Sequence, residues 1–366
     1  MKLFIDGYVF AHSPHGGIAR YTRELVGHFS TAIDPVVLTL ASRDGESGIE
    51  HPALKEVRVA RFGFRPGRLA YAVEPWRCRW ARWRTSADII HPSYYETLER
   101  QPVRGSGAIV VTCHDMAHEK FPGELDRDGY WRAMKRRSLE RADCILCVSQ
   151  TTRDDLVAYY PALSARSRVV HLGSDSLPSN ENESAPHHPW AFVYVGGRRG
   201  YKRFALAAEA IALAAKKMPV ALRFHIVGNP LSPEERQRLH ELGLSECLEV
   251  HENPSDPLLA ALYRECGALL YPSCWEGFGF PPLEAARAGC IPLYSRANAA
   301  VVETLQGTGV CVTEDTPEAW ADACIETSRR IERRDSSLAQ AQTRAVTFRW
   351  EKTARATEAI YREVSG

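Results

Sequence analysis

No stretch of this 366-residue chain approaches the run of about 18 apolar residues that a bilayer-crossing helix requires, which excludes a helical membrane protein. The opening MKLFIDGYVF gives way to AHSPHGG after too few apolar positions for a secretory leader, so a cytoplasmic protein is expected. An excess of charge of one sign is also missing. Lys and Arg number 46 against 45 Asp and Glu, a formal net charge of +1, which argues against a nucleic-acid partner and leaves any basic surface local. The ten cysteines show no repeating framework and lie scattered through apolar runs, so they read as reduced, buried thiols. Cys144 and Cys147 spell a CxxC, but ADCILCVSQ is an apolar run in which strand alternation sends the two side chains to opposite faces. A redox or metal role is not expected there. The dinucleotide fingerprint GxGxxG is missing from SPHGGIAR, and no acid stands about twenty positions on at a strand end, which argues against an oxidoreductase. No internal repeat occurs, which removes solenoids and propellers.

What remains is an alternation of short apolar runs and longer helical patterns from end to end, the mark of parallel sheets covered by helices. In the first half the runs KLFIDGY, DPVVLTLA, VRVARF, ADIIHP, AIVVTCHD, DCILCVS and RVVHLG predict strands, with helices over Ile18–Phe29 and Tyr130–Ala142. The polar, period-free SDSLPSNENESAPHHP then reads as a linker. A second series follows, with strands AFVYVGG, LRFHIVG, LEVHEN, GALLYPS and CIPLYS and helices over Ala205–Met218, Pro233–Leu242 and Pro257–Cys266. This predicts an α/β protein of two doubly wound, Rossmann-like domains, residues 1–173 and 190–349, joined by a linker over 174–189. The terminal FRWEKTARATEAIYREVS has helical spacing and is expected to cross back, so that 350–366 completes the first domain. Ligands of such folds bind at the carboxyl ends of the strands, here in a cleft between two sheets.

The stretch YPSCWEGFGFPPLEAARAG carries the most chemistry: a strand end, a glycine-rich loop, and a helix opened by Pro281 and Pro282 and stopped by Gly289. Backbone amides at such a helix start suit a phosphate, but a carboxylate in the same loop would repel one. Spacing leaves two readings open for Glu276 and Glu284. Either they accept hydrogen bonds from neutral hydroxyls on opposite sides of a bound diphosphate, or Glu284 is a first-turn acid favoured by the helix dipole and Glu276 a solvated loop charge.

EGFGFPPLE resembles the glutamate, seven residues, glutamate signature of the family 4 retaining glycosyltransferases, also called group 1, which have the two-domain GT-B fold and use nucleotide-diphosphate sugars. HGGIARYTRELV resembles the family's N-terminal glycine loop and helix, and HPSYYE and VTCHDMAHEKFP its first-domain strand ends. RRSLERADCILCVSQTTRDDL resembles the segment before its interdomain crossover, and FVYVGGRRGYKRF its phosphate-binding turn. The resemblance implies that Gly16 and Gly17 let amides approach the diphosphate, that Arg198 and Lys202 contact it, and that His114 faces the donor sugar. It implies that Glu276 holds the transferred sugar's hydroxyls, that Gly277, Phe278, Gly279 and Phe280 cradle sugar and phosphate, and that Glu284 holds the ribose. Each has an ordinary alternative: a turn before a helix for the glycines, a solvated charge run for RRGYKR (the reading adopted for Arg199 and Arg203), a structural histidine for His114. Asp115 is expected to orient its neighbour or cap the following turn.

The resemblance further implies transfer with retention and without a protein nucleophile, the leaving diphosphate taking the acceptor's proton while cations and helix amides stabilise its charge. No cofactor is expected. The Asp126-Arg127-Asp128 triplet spells a metal-binding Asp-x-Asp but precedes a helix, so it reads as a helix-start charge pair and the reaction as metal-independent. The expected partners are a nucleotide sugar (GDP-, UDP- or dTDP-linked) and a glycan or lipid-linked oligosaccharide acceptor, with a role in bacterial surface polysaccharide synthesis. Rival readings are a nucleotide-sugar epimerase of the same fold and an inactive sugar-nucleotide-binding protein. EPWRCRWARWR puts Trp76, Trp80 and Trp83 on one helical face among Arg77, Arg79, Arg82 and Arg84, and reads either as a domain helix with core tryptophans or as a segment lying on an anionic membrane. Arg132, Lys135, Arg136 and Arg137 form a second basic cluster that would add to a peripheral contact with the inner membrane.

Overall fold

The computed structural model describes residues 1–13, 16–41, 48–60, 87–95, 107–178, 188–198, 200–218 and 220–366. The chain divides into two compact units, Met1–Gly173 with Trp350–Gly366, and Ser174–Arg349.

The first unit is built on a seven-stranded sheet ordered β3-β2-β1-β4-β5-β6-β7, with β1 Lys2–Asp6, β2 Asp34–Ala41, β3 Lys55–Ala60, β4 Ile89–Ile90, β5 Ala108–Cys113, β6 Cys144–Cys147 and β7 Ser167–Val169. Its recorded pairings are all parallel. Strands covered on both faces have no polar side to show, and β6 is accordingly buried at all four positions. Cys144 and Cys147 are free and buried. Their thiols are pushed above the ordinary range, Cys147 by its hydrogen bond to Cys113 and by burial and Cys144 chiefly by burial, which leaves both inert. Helix Gly17–Gly27 lays Ala19, Tyr21, Thr22, Leu25 and Val26 inward at helical spacing.

The C-terminal helix Trp350–Ser365 returns to this unit through polar as well as apolar contacts. Tyr361 Oη lies 2.5 Å from His91 Nδ1, His91 Nε2 lies 2.8 Å from Thr112 Oγ1, and Thr112 Oγ1 lies 2.8 Å from Tyr21 Oη. Glu358 accepts hydrogen bonds from the Ser30 amide and hydroxyl. The crossover is tight: a Cβ on Gly173 would collide with the backbone and ring of Trp350.

The second unit carries a six-stranded sheet ordered β10-β9-β8-β11-β12-β13, with β8 His188–Val195, β9 Arg223–Gly228, β10 Leu248–Glu252, β11 Cys266–Tyr271, β12 Ile291–Ser295 and β13 Val310–Val312. One face packs Phe192, Tyr194, Phe224, Ile226, Leu270 and Leu293 against two helices, Phe204–Lys217 and Pro317–Glu332. The first of these turns five alanines inward, which lets its backbone approach the sheet, and the second adds fully buried Trp320. Burying each large apolar side chain contributes roughly 1.5–3 kcal/mol to the unit's stability. Among the described residues no helix is long and apolar enough to cross a membrane. The Trp/Arg segment 74–84 lies outside the described residues.

Candidate active site

Strand order in the second sheet reverses between β8 and β11, which are hydrogen-bonded neighbours although a βαβ excursion separates them in sequence. At such a switch point the loops leaving the two strands run in opposite directions and open a crevice at the strands' carboxyl ends. The loop after β8 supplies Lys202 and the loop after β11 supplies Glu276. Lys202 Nζ donates to both oxygens of Glu276, at 2.6 and 2.7 Å. The two side chains are 20% and 13% exposed, so the pair is screened from bulk water yet reachable. The loops are tied by backbone as well: the Cys274 amide donates to the Tyr201 carbonyl at 3.0 Å.

Two tyrosines that motif reading did not single out floor this pair. Tyr271, the last residue of β11, hydrogen-bonds Glu276, and its phenol is pushed well above its ordinary value by burial first and then by the Glu276 carboxylate. Tyr194 on β8 donates to the Gly197 carbonyl at 2.7 Å and is raised in the same way, by burial and then Glu276, with Arg198 opposing. Both phenols stay protonated and act as fixed dipoles.

Arg198 is placed differently from Lys202. Its Nε donates to Glu235 at 2.7 Å and its Nη2 to the carbonyls of Asn229 and Pro230 at 3.0 and 2.7 Å. Glu235 is itself held by a capping box with Ser232 at the start of helix Pro233–Glu241. The guanidinium is therefore clamped, with Nη1 buried and left without a partner among the described residues. The structure brings Glu276 and Lys202 together and engages Arg198 with Glu235 and the 229–230 carbonyls instead. Arg203, read as a solvated charge, instead pairs with Asp315, and Arg199 lies outside the described residues.

Helix Phe280–Arg287 begins at Gly279, which has φ +92° and no side-chain cap, followed by Pro281 and Pro282, which carry no amide hydrogen. Gly277, Phe278 and Gly279 are buried and Phe280 is half-buried. Gly279 is glycine for two reasons. Its backbone is left-handed, and a Cβ would stand 2.7 Å from Val301 Cγ2. Gly279→Ala is expected to cost about 1–3 kcal/mol of stability through backbone strain and this overlap, and to displace the helix start. A chemical denaturation curve indistinguishable from wild type would contradict it. Glu284 lies inside the helix, 4% exposed, with the Tyr263 hydroxyl 3.4 Å from Oε2.

In the first unit, Gly16 is the uncapped N-cap of helix Gly17–Gly27, and a Cβ there would meet Ser13 Oγ at 2.6 Å. His114 follows β5. Its amide donates to Tyr95 Oη at 3.4 Å and its half-buried ring meets Tyr21 edge-on, centroids 4.8 Å apart. Burial first pulls its pKa down to about 4, with Asp115 opposing and Lys135 adding, so the imidazole is neutral at physiological pH. Asp115 accepts the Ala117 amide at 3.0 Å. Asp126 accepts the amides of Trp131 and Arg132, both at 2.9 Å, and so caps the helix Tyr130–Arg141.

Lys135 departs from the expected basic surface cluster. It is 1% exposed, donates to Glu119 Oε2 at 2.7 Å and to the Asp115 carbonyl at 3.0 Å, and lies on the buried face of its helix beside Met134, Ser138 and Leu139. Arg132 is engaged by Asp126 and Arg136 by Glu140. The second basic cluster is thus largely internally neutralised, and Lys135 offers no charge to a membrane.

Comparison with known proteins agrees with this architecture. The family model described as Glycosyltransferase Family 4 matches residues 15–176, and that described as Glycosyl transferases group 1 matches residues 178–342. The chain is 26% identical to a D-inositol 3-phosphate glycosyltransferase of Corynebacterium glutamicum, over 77% of this chain and 73% of that one. It is also 26% identical to one of Paenarthrobacter aurescens, covering 96% and 94%. Among solved structures, Anabaena HepE in complex with UDP and glucose superposes with a TM-score of 0.74 at 15% identity, covering 99% and 100%. WaaG, a glycosyltransferase involved in lipopolysaccharide biosynthesis, gives 0.70 at 16%, covering both chains fully. With two parallel, doubly wound sheets and family models matching nearly its whole length, the chain belongs to the family 4, group 1 glycosyltransferases of GT-B fold.

Proposed function

We propose that this glycosyltransferase takes its sugar from a nucleoside-diphosphate donor and transfers it, with retention, to a hydroxyl of a glycan or lipid-linked acceptor. The observation that carries the reading is the Lys202–Glu276 pair at the β8/β11 switch point, because a cation and a carboxylate held side by side match a donor with a charged diphosphate next to a polyhydroxylated ring. On this reading the donor divides the pair: Lys202 turns to a phosphate oxygen and Glu276 to sugar hydroxyls. The start of helix Phe280–Arg287 directs its positive end at the phosphates. Arg198, clamped on three sides, contributes its remaining Nη1 donor.

Chemically, the bond from the sugar's anomeric carbon to the phosphate oxygen breaks, a bond to the acceptor oxygen forms, and the acceptor's proton leaves with the diphosphate. The protein's contribution is charge stabilisation of the leaving group and positioning, without a metal. HepE, solved with UDP-glucose, supports a uridine nucleotide as the first donor to try. WaaG supports an acceptor in surface polysaccharide, whereas the curated relatives, named for D-inositol 3-phosphate, favour a phosphorylated polyol as a second reading.

The test is a thermal-shift screen of nucleotide sugars followed by an assay for nucleoside diphosphate released with each acceptor class. Stabilisation by one donor and acceptor-dependent release support the reading. Acceptor-independent isomerisation of the donor would replace it with an epimerase. Glu284→Ala is expected to weaken nucleotide binding roughly 10- to 100-fold, as loss of a charged hydrogen bond to ribose would, with turnover at saturation nearly kept. Titration calorimetry with the nucleoside diphosphate alone checks it, and unchanged affinity would remove Glu284 from the site.

A further inference from the structure

The second sheet's β9–β10 edge carries a group of ligating side chains that the transfer reaction does not use. In RFHIVG and LEVHE, Phe224, Ile226, Leu248 and Val250 face the apolar core, so the pleat puts His225, Glu249 and His251 together on the other face. Parallel pairing sets Glu249 opposite His225 and His251 opposite Val227. Nδ1 of His225 lies 3.1 Å from Nε2 of His251, and Oε2 of Glu249 lies 3.6 Å from the first and 4.0 Å from the second.

Those separations decide between two arrangements. The carboxylate is too far from either ring for a direct hydrogen bond, which needs about 2.7–3.2 Å. The point equidistant from the three atoms, however, lies about 2.1 Å from each, which is the bond length of a zinc ion to imidazole nitrogen and carboxylate oxygen. The first ligand is built in: His225 is 1% exposed and sits inside strand β9, with Nδ1 turned toward His251. The third is open, since the Glu249 side chain is 57% exposed and gives the ion an entry path and room for a water as fourth ligand.

The geometry points to a divalent-cation site formed by His225 Nδ1, His251 Nε2 and Glu249 Oε2, of the class that takes zinc. Two imidazoles and one carboxylate favour a borderline transition ion over magnesium or calcium, which prefer all-oxygen shells. A bound ion would clamp edge strand β10 to β9. Since β9 runs directly into Asn229 and Pro230, whose carbonyls hold Arg198, the clamp would also stiffen the mount of that residue.

The experiment is equilibrium dialysis of the tag-free, metal-stripped full chain against zinc, read by elemental analysis and by melting temperature. About one equivalent retained per chain and a raised melting temperature are expected. His251→Gln and Glu249→Gln, at positions on the sheet edge, should each keep the metal-free melting temperature, and His251→Gln should weaken zinc binding at least ~100-fold. Cobalt in place of zinc should give visible d–d absorption without a thiolate charge-transfer band. No retention by the wild-type chain would overturn the site and leave the two rings as a simple hydrogen-bonded pair. Retention unaffected by both variants, or a thiolate band, would overturn it in favour of cysteine ligands.

Discussion

Lys202→Ala is expected to lower turnover by about 10²- to 10³-fold, the loss seen when one preorganised donor to a developing oxyanion is removed. On the proposed reading, charge grows on the diphosphate oxygens as it departs, and Lys202, 20% exposed, is the cation that the fold places directly at the switch point. The effect should fall on kcat more than on KM, because the interaction strengthens only as the bond to phosphate breaks. The structure supplies the rival explanation as well. Lys202 neutralises Glu276, so alanine leaves a carboxylate only 13% exposed beside Tyr271 and Tyr194, and a merely structural pair would show itself as instability. Measuring kcat, KM and the melting temperature on the same preparation separates the two. Low kcat in a protein that melts within a few degrees of wild type supports charge stabilisation, while activity that simply tracks the folded fraction refutes it.

The sheets were legible because parallel strands buried on both faces write themselves as unbroken apolar runs: AIVVTC, CILC, CGALLY and IPLYS all appear as strands within a residue or two of where the runs suggest. The helices Tyr130–Arg141 and Phe204–Lys217 likewise end within one residue of their expected limits. What the runs hid was β13, Val310–Val312, a three-residue edge strand too short to show a period.

Loop composition and motif single out Glu276, Glu284 and Lys202 as candidates, but the direct pairing of Lys202 with Glu276 was not legible. Seventy-four residues separate the two partners, and only the strand order brings them together. The engagement of Arg198 was hidden for a similar reason, although SPEE at Ser232–Glu235 spells a capping box and marked Glu235 as a fixed carboxylate looking for further donors. The zinc-class triad shows the same limit: HIV and EVHE look like ordinary strand residues until register aligns them.

Lys135 misled for a different reason, and its replacement carries the largest expected effect on stability. In the string KRR a lysine looks solvated, yet it follows Met134 and precedes Ser138 and Leu139 on the one stripe of the helix that faces inward. Lys135→Met keeps most of the stem's volume but removes the ammonium from Glu119, leaving a carboxylate 2% exposed that accepts from the Tyr160 hydroxyl at 3.2 Å. Stranding one member of a buried ion pair costs about 3–5 kcal/mol, far more than the ≤ ~0.5 kcal/mol expected of a surface lysine. The pH dependence gives the sign. In the wild type, Asp115 is held below the usual carboxylate range because Lys135 and the Ala117 amide outweigh its burial, so its contribution is present at neutral pH and lost only as pH falls through that lowered value. Lys135 is held above its ordinary value because Asp115 and Glu119 outweigh its burial, so its contribution is present at neutral pH and lost only on strong alkalinisation. Without the ammonium, the burial of Asp115 loses its chief counterweight, so the variant should regain stability as pH falls from 7 toward 5, while the wild type stays level. Urea denaturation of both proteins at pH 7 and pH 5 measures this: a gap of several kcal/mol that narrows on acidification fits a buried pair, and a small gap independent of pH would return Lys135 to the surface.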